Sequence, residues 1–287
     1  MRFLSLALSL ALLPTLLWAK IQMTAGIHHL DHGDQMGEET LVYLSNGRVV
    51  RMKNFDLSLI EEMQEGVQSK KVFELELSDH NEILNLNVSA VQPQRLSAPS
   101  PSQKSLMTET FIPSILGLEK ANELFRESIP SPKESQCFNR AHVWSHEWRI
   151  KHKVYSNKMW MFFTRKYIRD FAFGWWFHVA PMIHMVEEGK VRERVMDVKY
   201  ARGPLKIKQW TDIFMRNDAP CPLVENYSDH SNFPEWGSCF TMKSSMYYYQ
   251  PVDLEWKEAF SMDRSSYLPS EIIAAYLEAF EIDLEGK

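Results

Sequence analysis

A segment rich in proline and serine divides the chain into two parts. Residues 92–105 contain three prolines and four serines and almost no apolar side chains. Such a composition is typical of an exposed linker that proteases can reach. We therefore predict a protease-sensitive linker at 92–108, between a small domain at 20–91 and a larger one at 109–287. The rest of the chain, with 45% hydrophobic and 24% charged residues overall, has the composition of folded domains.

The first 19 residues predict that the protein leaves the cytoplasm. Arg2 precedes an apolar run that ends at Leu17, and the small residue Ala19 comes just before Lys20. A basic start, a short apolar stretch and a small exit residue are typical of a secretory signal peptide, which we assign to residues 1–19. The run is shorter than the roughly 20 residues that a membrane crossing needs. We expect a secreted or periplasmic protein without a membrane anchor.

The net charge of the chain bears on its partners. The sequence has 32 basic and 37 acidic side chains, which gives a net charge of −5. No overall positive field is available to hold a polyanion, so we expect no nucleic-acid partner. We also expect a monomer that does not bind a membrane.

Short-range signals predict a small mixed α/β unit in the N-terminal part. Asn46-Gly47 between two apolar runs is a strong hairpin signal. We predict a short capped helix at 56–63 and strands at 72–77 and 83–88. The histidine-rich segment 28–32 is assigned to a mobile N-terminus. Composition alone leaves open whether the two parts are a zymogen with its pro-segment or two permanent domains.

The compartment of the protein decides whether its three cysteines are expected to form a disulfide. In an oxidising compartment cysteines tend to pair, and three is an odd number. Cys221 and Cys239 lie 18 positions apart in a loop-like stretch, where a bridge would contribute about 3 kcal/mol to stability. Cys137 is then left as either a buried small residue or a reactive thiol.

Cys137 is predicted to lie in the first turn of a helix. A proline-containing segment precedes it, and a helical pattern follows, with Ala141, Trp144 and Trp148 on the same face as the cysteine. At a helix N-terminus the macrodipole favours a thiolate, and the free N–H groups suit an oxyanion hole. The alternative is a buried and inert cysteine.

A base for such a thiol is available on a predicted buried strand. Residues 175–183 are aromatic and apolar, and a two-residue turn leads to a returning strand at 191–200. If that turn closes the hairpin, His178 faces Lys199, and Asp197 is its diagonal neighbour on the same face. An aspartate in that place can fix the imidazole and leave its other nitrogen for a thiol. A change of one residue in the length of the turn would place His178 and Asp197 on opposite faces of the sheet.

The other histidines do not indicate a metal site. His142 and His146 are four residues apart on the predicted helix, a spacing that can hold zinc. The glutamate of the usual HExxH pattern is missing between them, and no third ligand follows from the sequence. We therefore expect neither a metal ion nor a cofactor.

Two sequence segments resemble secreted bacterial protein-glutaminase, also called protein-glutamine deamidase. They are Cys-Phe-Asn-Arg-Ala-His at 137–142 and Trp-Trp-Phe-His-Val-Ala at 175–180, with an aspartate at the end of the next strand. The resemblance implies an α+β fold with a papain- and transglutaminase-like core. It also implies a catalytic triad in which Cys137 is the nucleophile, His178 the base and Asp197 the orienting carboxylate.

The resemblance implies an activity as well. Such an enzyme hydrolyses the side-chain amides of glutamine in proteins or peptides to glutamate and ammonia, through a cysteine thioester. Residues 20–91 would then be a pro-segment that inhibits the enzyme until the linker is cut. Two alternatives keep the triad, a transglutaminase and a cysteine peptidase, because the sequence does not define the acyl acceptor or the bond attacked. A non-catalytic secreted binding module is the third alternative.

Overall fold

The chain folds into two compact units. The computed structural model describes residues 20–32, 39–53, 57–90, 112–131, 135–232, 237–260 and 269–284. The first unit comprises the described residues of 1–42 and 50–91, and the second those of 43–49 and 92–287. The predicted signal peptide at 1–19 and the predicted linker at 92–108 lie outside the described residues.

The N-terminal part forms one sheet with a helix. Its elements are β1 (Ile21–Asp31), β2 (Thr40–Leu44), β3 (Val49–Met52), α1 (Leu57–Ser69), β4 (Val72–Leu77) and β5 (Ile83–Val88). The strand order is β3-β2-β1-β4-β5. The hairpin around Asn46-Gly47 and the strands at 72–77 and 83–88 form as predicted. Helix α1 continues to Ser69, beyond the predicted end at 63, because its sequence stays free of proline and keeps burying side chains such as Met63.

Strand β1 corrects the assignment of the first described residues. The histidine-rich segment 28–32 was expected to be mobile, but residues 21–31 form a strand that pairs antiparallel with β4. Apolar residues alternate along it at Ile21, Met23, Ala25 and Ile27, and the last two are buried. Its place in the middle of the sheet, between β2 and β4, supplies the hydrogen-bond partners that hold it.

The second unit is built on a mixed sheet. Its strands are β6 (Ile115–Leu116), β7 (Asn157–Phe163), β8 (Phe177–Glu187), β9 (Lys190–Val195), β10 (Leu223–Val224) and β11 (Cys239–Ser245). Its helices are α2 (Leu118–Glu127), α3 (Cys137–His152), α4 (Arg165–Phe171), α5 (Ile207–Asp212), α6 (Tyr227–Asn232), α7 (Pro251–Phe260) and α8 (Pro269–Phe280). The strand order is β10-β11-β7-β8-β6, and β9 pairs with β8. No helix in the described part of the chain is both long and apolar enough to cross a membrane.

Helix α3 packs its cysteine face into the core of this unit. Ala141, Trp144 and Trp148 are at most 2% exposed, as the helical spacing predicts. The indole nitrogens of the two tryptophans donate to the Ile129 carbonyl and to Ser128 Oγ, at 2.9 and 3.1 Å. Burying aromatic side chains of this size contributes on the order of 2 kcal/mol each. The start of α3 is therefore held firmly in place.

The hairpin of β8 and β9 has the predicted pairing, but its second strand is shorter. Glu187 pairs with Lys190, so the two-residue turn is as expected. Strand β9 ends at Val195, however, and the prediction of a strand to residue 200, with Lys199 opposite His178, is wrong. The chain turns instead, because the N–H groups of residues 200 and 201 donate to the carbonyl of Asp197 at 3.1 and 2.9 Å.

A disulfide joins Cys221 to Cys239, while Cys137 is free and buried. Replacing both bridged cysteines with serine is expected to lower the free energy of unfolding by about 3 kcal/mol, because the unfolded chain regains the freedom of the closed loop. Denaturant unfolding under non-reducing conditions measures this. An unchanged midpoint would mean that the bridge adds nothing to stability.

Candidate active site

The sulfur of Cys137 lies at the start of α3. Gln136 is the N-cap, with extended backbone angles and no hydrogen bond from its side chain to the helix backbone. The side-chain amide of Asn139 donates to Gln136 Oε1 at 3.1 Å. Because the first N–H groups of a helix have no intrahelical partner, the first turn of α3 is able to bind an oxyanion.

His178 and Asp197 meet beside this helix end. His178 comes from β8 and Asp197 from the turn after β9, and they are 6% and 1% exposed. The His178 Nε2 atom lies 2.7 Å from Asp197 Oδ2. Trp210 Nε1 donates to the same oxygen at 2.9 Å. Two hydrogen bonds thus fix the carboxylate, and the carboxylate fixes the imidazole.

The second nitrogen of the imidazole is available to the sulfur. The side chain of Cys137 lies close enough to the imidazole for its charge and hydrogen-bonding interaction to help raise the pKa of His178. Since Nε2 is engaged by Asp197, Nδ1 is the ring nitrogen that remains for the thiol. The structure therefore brings the three residues singled out in the sequence together, with a hydrogen bond between His178 and Asp197.

The charges of this group support one another. Burial lowers the pKa of His178, but the charge and hydrogen bond of Asp197, together with those of Cys137, raise it to about 9. Burial raises the pKa of Asp197, yet attraction to His178 and hydrogen bonds from His178 and Trp210 outweigh it, so the net shift is downward. At neutral pH the imidazole is protonated and the carboxylate ionised, an arrangement suited to holding a thiolate.

Aromatic rings surround the imidazole. The ring centres of Phe214, Tyr200 and Trp210 lie 4.4, 5.3 and 5.6 Å from that of His178. Trp210 is fully buried, whereas Tyr200 is 48% exposed. Tyr200 is therefore the most exposed of the three rings that contact the imidazole. The sequence patterns did not single out Phe214 or Tyr200, since neither belongs to a recognisable motif.

Arg140 is a further part of the site that the sequence reasoning did not assign a role. It is 3% exposed, and its guanidinium donates to the carbonyl and hydroxyl oxygens of Ser135. These bonds fix the turn that leads into Cys137. Its positive charge also contributes to the lowered pKa of Asp197. The signal in the sequence was its position three residues after the cysteine, on the same side of the helix.

His142, the first of the two histidines considered for zinc, contacts a buried lysine. Lys158 Nζ lies 2.8 Å from His142 Nδ1 and donates to the Tyr248 carbonyl at 2.5 Å. The other ring nitrogen lies 3.9 Å from Glu271 Oε2. This buried group joins α3 to β7 and α8, so His142 has a structural role on the helix that carries Cys137.

One side-chain group in the described part of the chain has the composition of a metal site. The ligand atoms of Glu123, Glu127 and His152 lie within 4.8 Å of one another. The ammonium of Lys120 donates to Glu123 at 2.7 Å and lies 2.9 Å from His152 Nδ1. A cation of the protein therefore already occupies part of this cluster and offsets one of its two negative charges.

The chain is similar to known glutaminases in one segment of sequence and in fold. Residues 120–214 match a family model described as glutaminase. The crystal structure of pro-protein-glutaminase has 14% identity and a TM-score of 0.50, over 88% of this chain and 90% of that chain. A mutant of pro-protein-glutaminase has 13% identity and a TM-score of 0.52, over 90% and 92%.

No curated protein sequence matches the chain significantly. The matched segment 120–214 nevertheless contains Cys137, His178 and Asp197. The resemblance inferred from the sequence is thus confirmed: residues 120–214 match a glutaminase family model, and the chain has an α+β fold similar to that of pro-protein-glutaminase over most of its length.

Proposed function

We propose that the protein is a protein-glutamine glutaminase with a papain- and transglutaminase-like site. It hydrolyses side-chain amides of glutamine in proteins or peptides to glutamate and ammonia. The hydrogen bond between His178 and Asp197, with Cys137 close to the imidazole at a helix N-terminus, supports this proposal, within a segment that matches the glutaminase family. The mechanism needs neither metal nor cofactor, because thiol, imidazole and backbone groups provide every step.

The first half of the reaction forms a thioester. The Cys137 thiolate attacks the carboxamide carbon of glutamine, and the N–H groups at the start of α3 stabilise the oxyanion. The His178 imidazolium then gives its proton to the departing nitrogen, so that ammonia leaves and the acyl group stays on sulfur. Asp197 stabilises the imidazolium and keeps its ring oriented.

The second half regenerates the enzyme. Neutral His178 removes a proton from water, and the resulting hydroxide attacks the thioester carbon at the same oxyanion site. Collapse of this intermediate releases glutamate and returns the thiolate, while His178 keeps the proton. The backbone around Gln136 and Cys137 must stay rigid through both halves, since losing one oxyanion donor raises a barrier by about 2.7–4 kcal/mol.

Incubation of the chain, cut within the linker at 92–108, with casein tests the proposed activity. We expect ammonia in solution and a gain of one mass unit at glutamines, with the casein chain intact. Covalent casein oligomers would identify a transglutaminase instead, and new N-termini a cysteine peptidase. If none of these products forms and Cys137 resists a thiol-reactive probe in the native protein, the binding-module alternative replaces the enzyme.

We further propose that residues 20–91 are a pro-segment of a secreted or periplasmic enzyme, exported by the signal peptide 1–19. The hairpin tip at 43–49, which belongs to the second unit, supports this. Its Gly47 carbonyl accepts from Trp176 N, and Val49 N donates to the Gly174 carbonyl, both at 3.0 Å. These bonds join residues 43–49 to the segment directly before β8, the strand that carries His178.

Cutting the linker is expected to raise activity. Limited proteolysis within 92–108 allows the pro-segment to dissociate, so ammonia release from casein should rise at least tenfold. A tenfold change corresponds to a binding free energy of the pro-segment of about 1.4 kcal/mol. Ammonia assays before and after the cut, with the cut mapped by N-terminal sequencing, measure this. Equal activities would show that the N-terminal part does not inhibit.

A further inference from the structure

A loop of the second unit borders His178 and is anchored at both ends. We call residues 198–206 the basic loop. At its start, the N–H groups of Tyr200 and Ala201 donate to the Asp197 carbonyl. At its end, residues Val195 and Leu205 exchange two backbone hydrogen bonds of 2.8 and 2.9 Å. The loop is therefore a fixed wall of the site.

The loop contacts the imidazole through one aromatic ring. The Tyr200 ring stands edge-on to that of His178, with centres 5.3 Å apart, and it also packs against Phe214 at 5.1 Å. With 48% of its surface exposed, Tyr200 lies between the imidazole and solvent. A substrate chain that brings its glutamine to Cys137 therefore passes close to the residues beside Tyr200.

Those residues are basic. Lys199, Arg202 and Lys206 are all exposed. The sequence contains no acidic residue between Asp197, which is buried against His178, and Asp212, which pairs with Lys208 at 2.8 Å. These three cations, which we call the basic rim, lie on the loop that borders His178, in a chain whose net charge is −5.

We infer that the enzyme prefers glutamines flanked by acidic residues. This inference rests on the proposed glutaminase function and adds the substrate class. Carboxylates on either side of a bound glutamine would lie within one Debye length, about 10 Å at 0.1 M salt, of the basic rim. One such pair of charges at the surface changes binding by about threefold, a Coulomb effect that salt weakens.

Three matched peptides test the inference. Each has one glutamine, flanked on both sides by glutamate, serine or lysine, and blocked ends. The protein is the full chain after limited proteolysis in the linker, with both fragments retained. The kcat/KM for ammonia release should be highest for the glutamate peptide and lowest for the lysine peptide. The ratio should fall towards one as salt rises to about 0.5 M.

Two double variants locate the effect. Lys199→Gln with Arg202→Gln should lower the ratio of glutamate to lysine peptide about threefold for each cation removed. The matched control is Lys190→Gln with Arg192→Gln, which removes two exposed cations from the start of β9. Their partners on β8 lie nine and seven residues along the strand from His178, or about 30 and 23 Å. The control should keep the ratio of the unmodified chain. Equal kcat/KM values for the three peptides, or equal effects of the two double variants, would overturn the inference.

A binding measurement separates this inference from the proposed activity. Calorimetry with the Cys137→Ala chain should give tighter binding for the glutamate peptide, weakened by the Lys199→Gln and Arg202→Gln changes. If no peptide releases ammonia but this pattern of binding holds, the proposed function is wrong and the acidic preference stands. If ammonia is released without any preference in rate or binding, the function stands and the preference is wrong.

Discussion

Replacing Cys137 with alanine is expected to reduce ammonia release from casein by at least about four orders of magnitude, because no nucleophile remains to form the thioester. The sulfur is 4% exposed at the start of α3, and alanine fits there without a new polar group. Ammonia assays on the linker-cleaved chain measure the effect. Unchanged circular dichroism would show that the fold is kept.

The Cys137→Ser variant is the matched control for this result. Serine keeps the shape and a hydroxyl, but a hydroxyl is a much weaker nucleophile than a thiol or thiolate, so its activity should also be very low. A Cys137→Ala chain as active as the unmodified chain would refute the mechanism. It would also mean that the nucleophile does not lie on α3.

Replacing Asp197 with asparagine is expected to lower kcat/KM by about two to four orders of magnitude, as in other triads that lose their carboxylate. The charge and charged hydrogen bond that raise the pKa of His178 to about 9 disappear, while burial still lowers that pKa. The imidazolium that protonates ammonia therefore becomes scarce at neutral pH. We expect the alkaline limb of the kcat/KM profile to move to lower pH.

The same pair makes the free energy of unfolding depend on pH. His178 has a raised pKa, so its contribution is complete below its unfolded value of 6.5 and is lost as the pH rises through about 9. Asp197 has a lowered pKa, so its contribution is present above 3.8 and is lost in more acidic solution. The difference in stability between the unmodified chain and Asp197→Asn should thus be largest between these two values, 3.8 and 6.5.

A surface aspartate provides the control for both measurements. Asp170 lies on α4 and pairs with Lys166 in solvent. Its replacement by asparagine should leave the pH–rate profile unchanged and alter stability by less than about 0.5 kcal/mol. If Asp197→Asn behaved like Asp170→Asn, the carboxylate would have no part in orienting the imidazole.

Local rules were sufficient to predict the scaffold of the site. The start of α3 at Cys137 followed from the prolines before it and the helical spacing after it. The register of β8 and β9 followed from a two-residue turn that pairs Glu187 with Lys190. Both features depend on neighbours in sequence, which is why a single chain reveals them.

Features that depend on distant parts of the chain were not predictable in this way. Strand β1 exists because β2 and β4 supply partners on both sides, although the histidines within it suggested an exposed tail. Strand β9 ends early because the chain turns at Asp197, and no pattern in the sequence predicts this turn. The packing of Phe214 and Tyr200 against His178 depends on tertiary contacts alone.

A peptide with a heavy-nitrogen label only in the side-chain amide of its glutamine tests most directly the proposal that this amide is the bond broken. Incubation with the linker-cleaved chain should transfer the label to free ammonia and leave a full-length peptide containing glutamate. Label that stays in the peptide, or that appears in shortened or cross-linked products, would contradict the proposal.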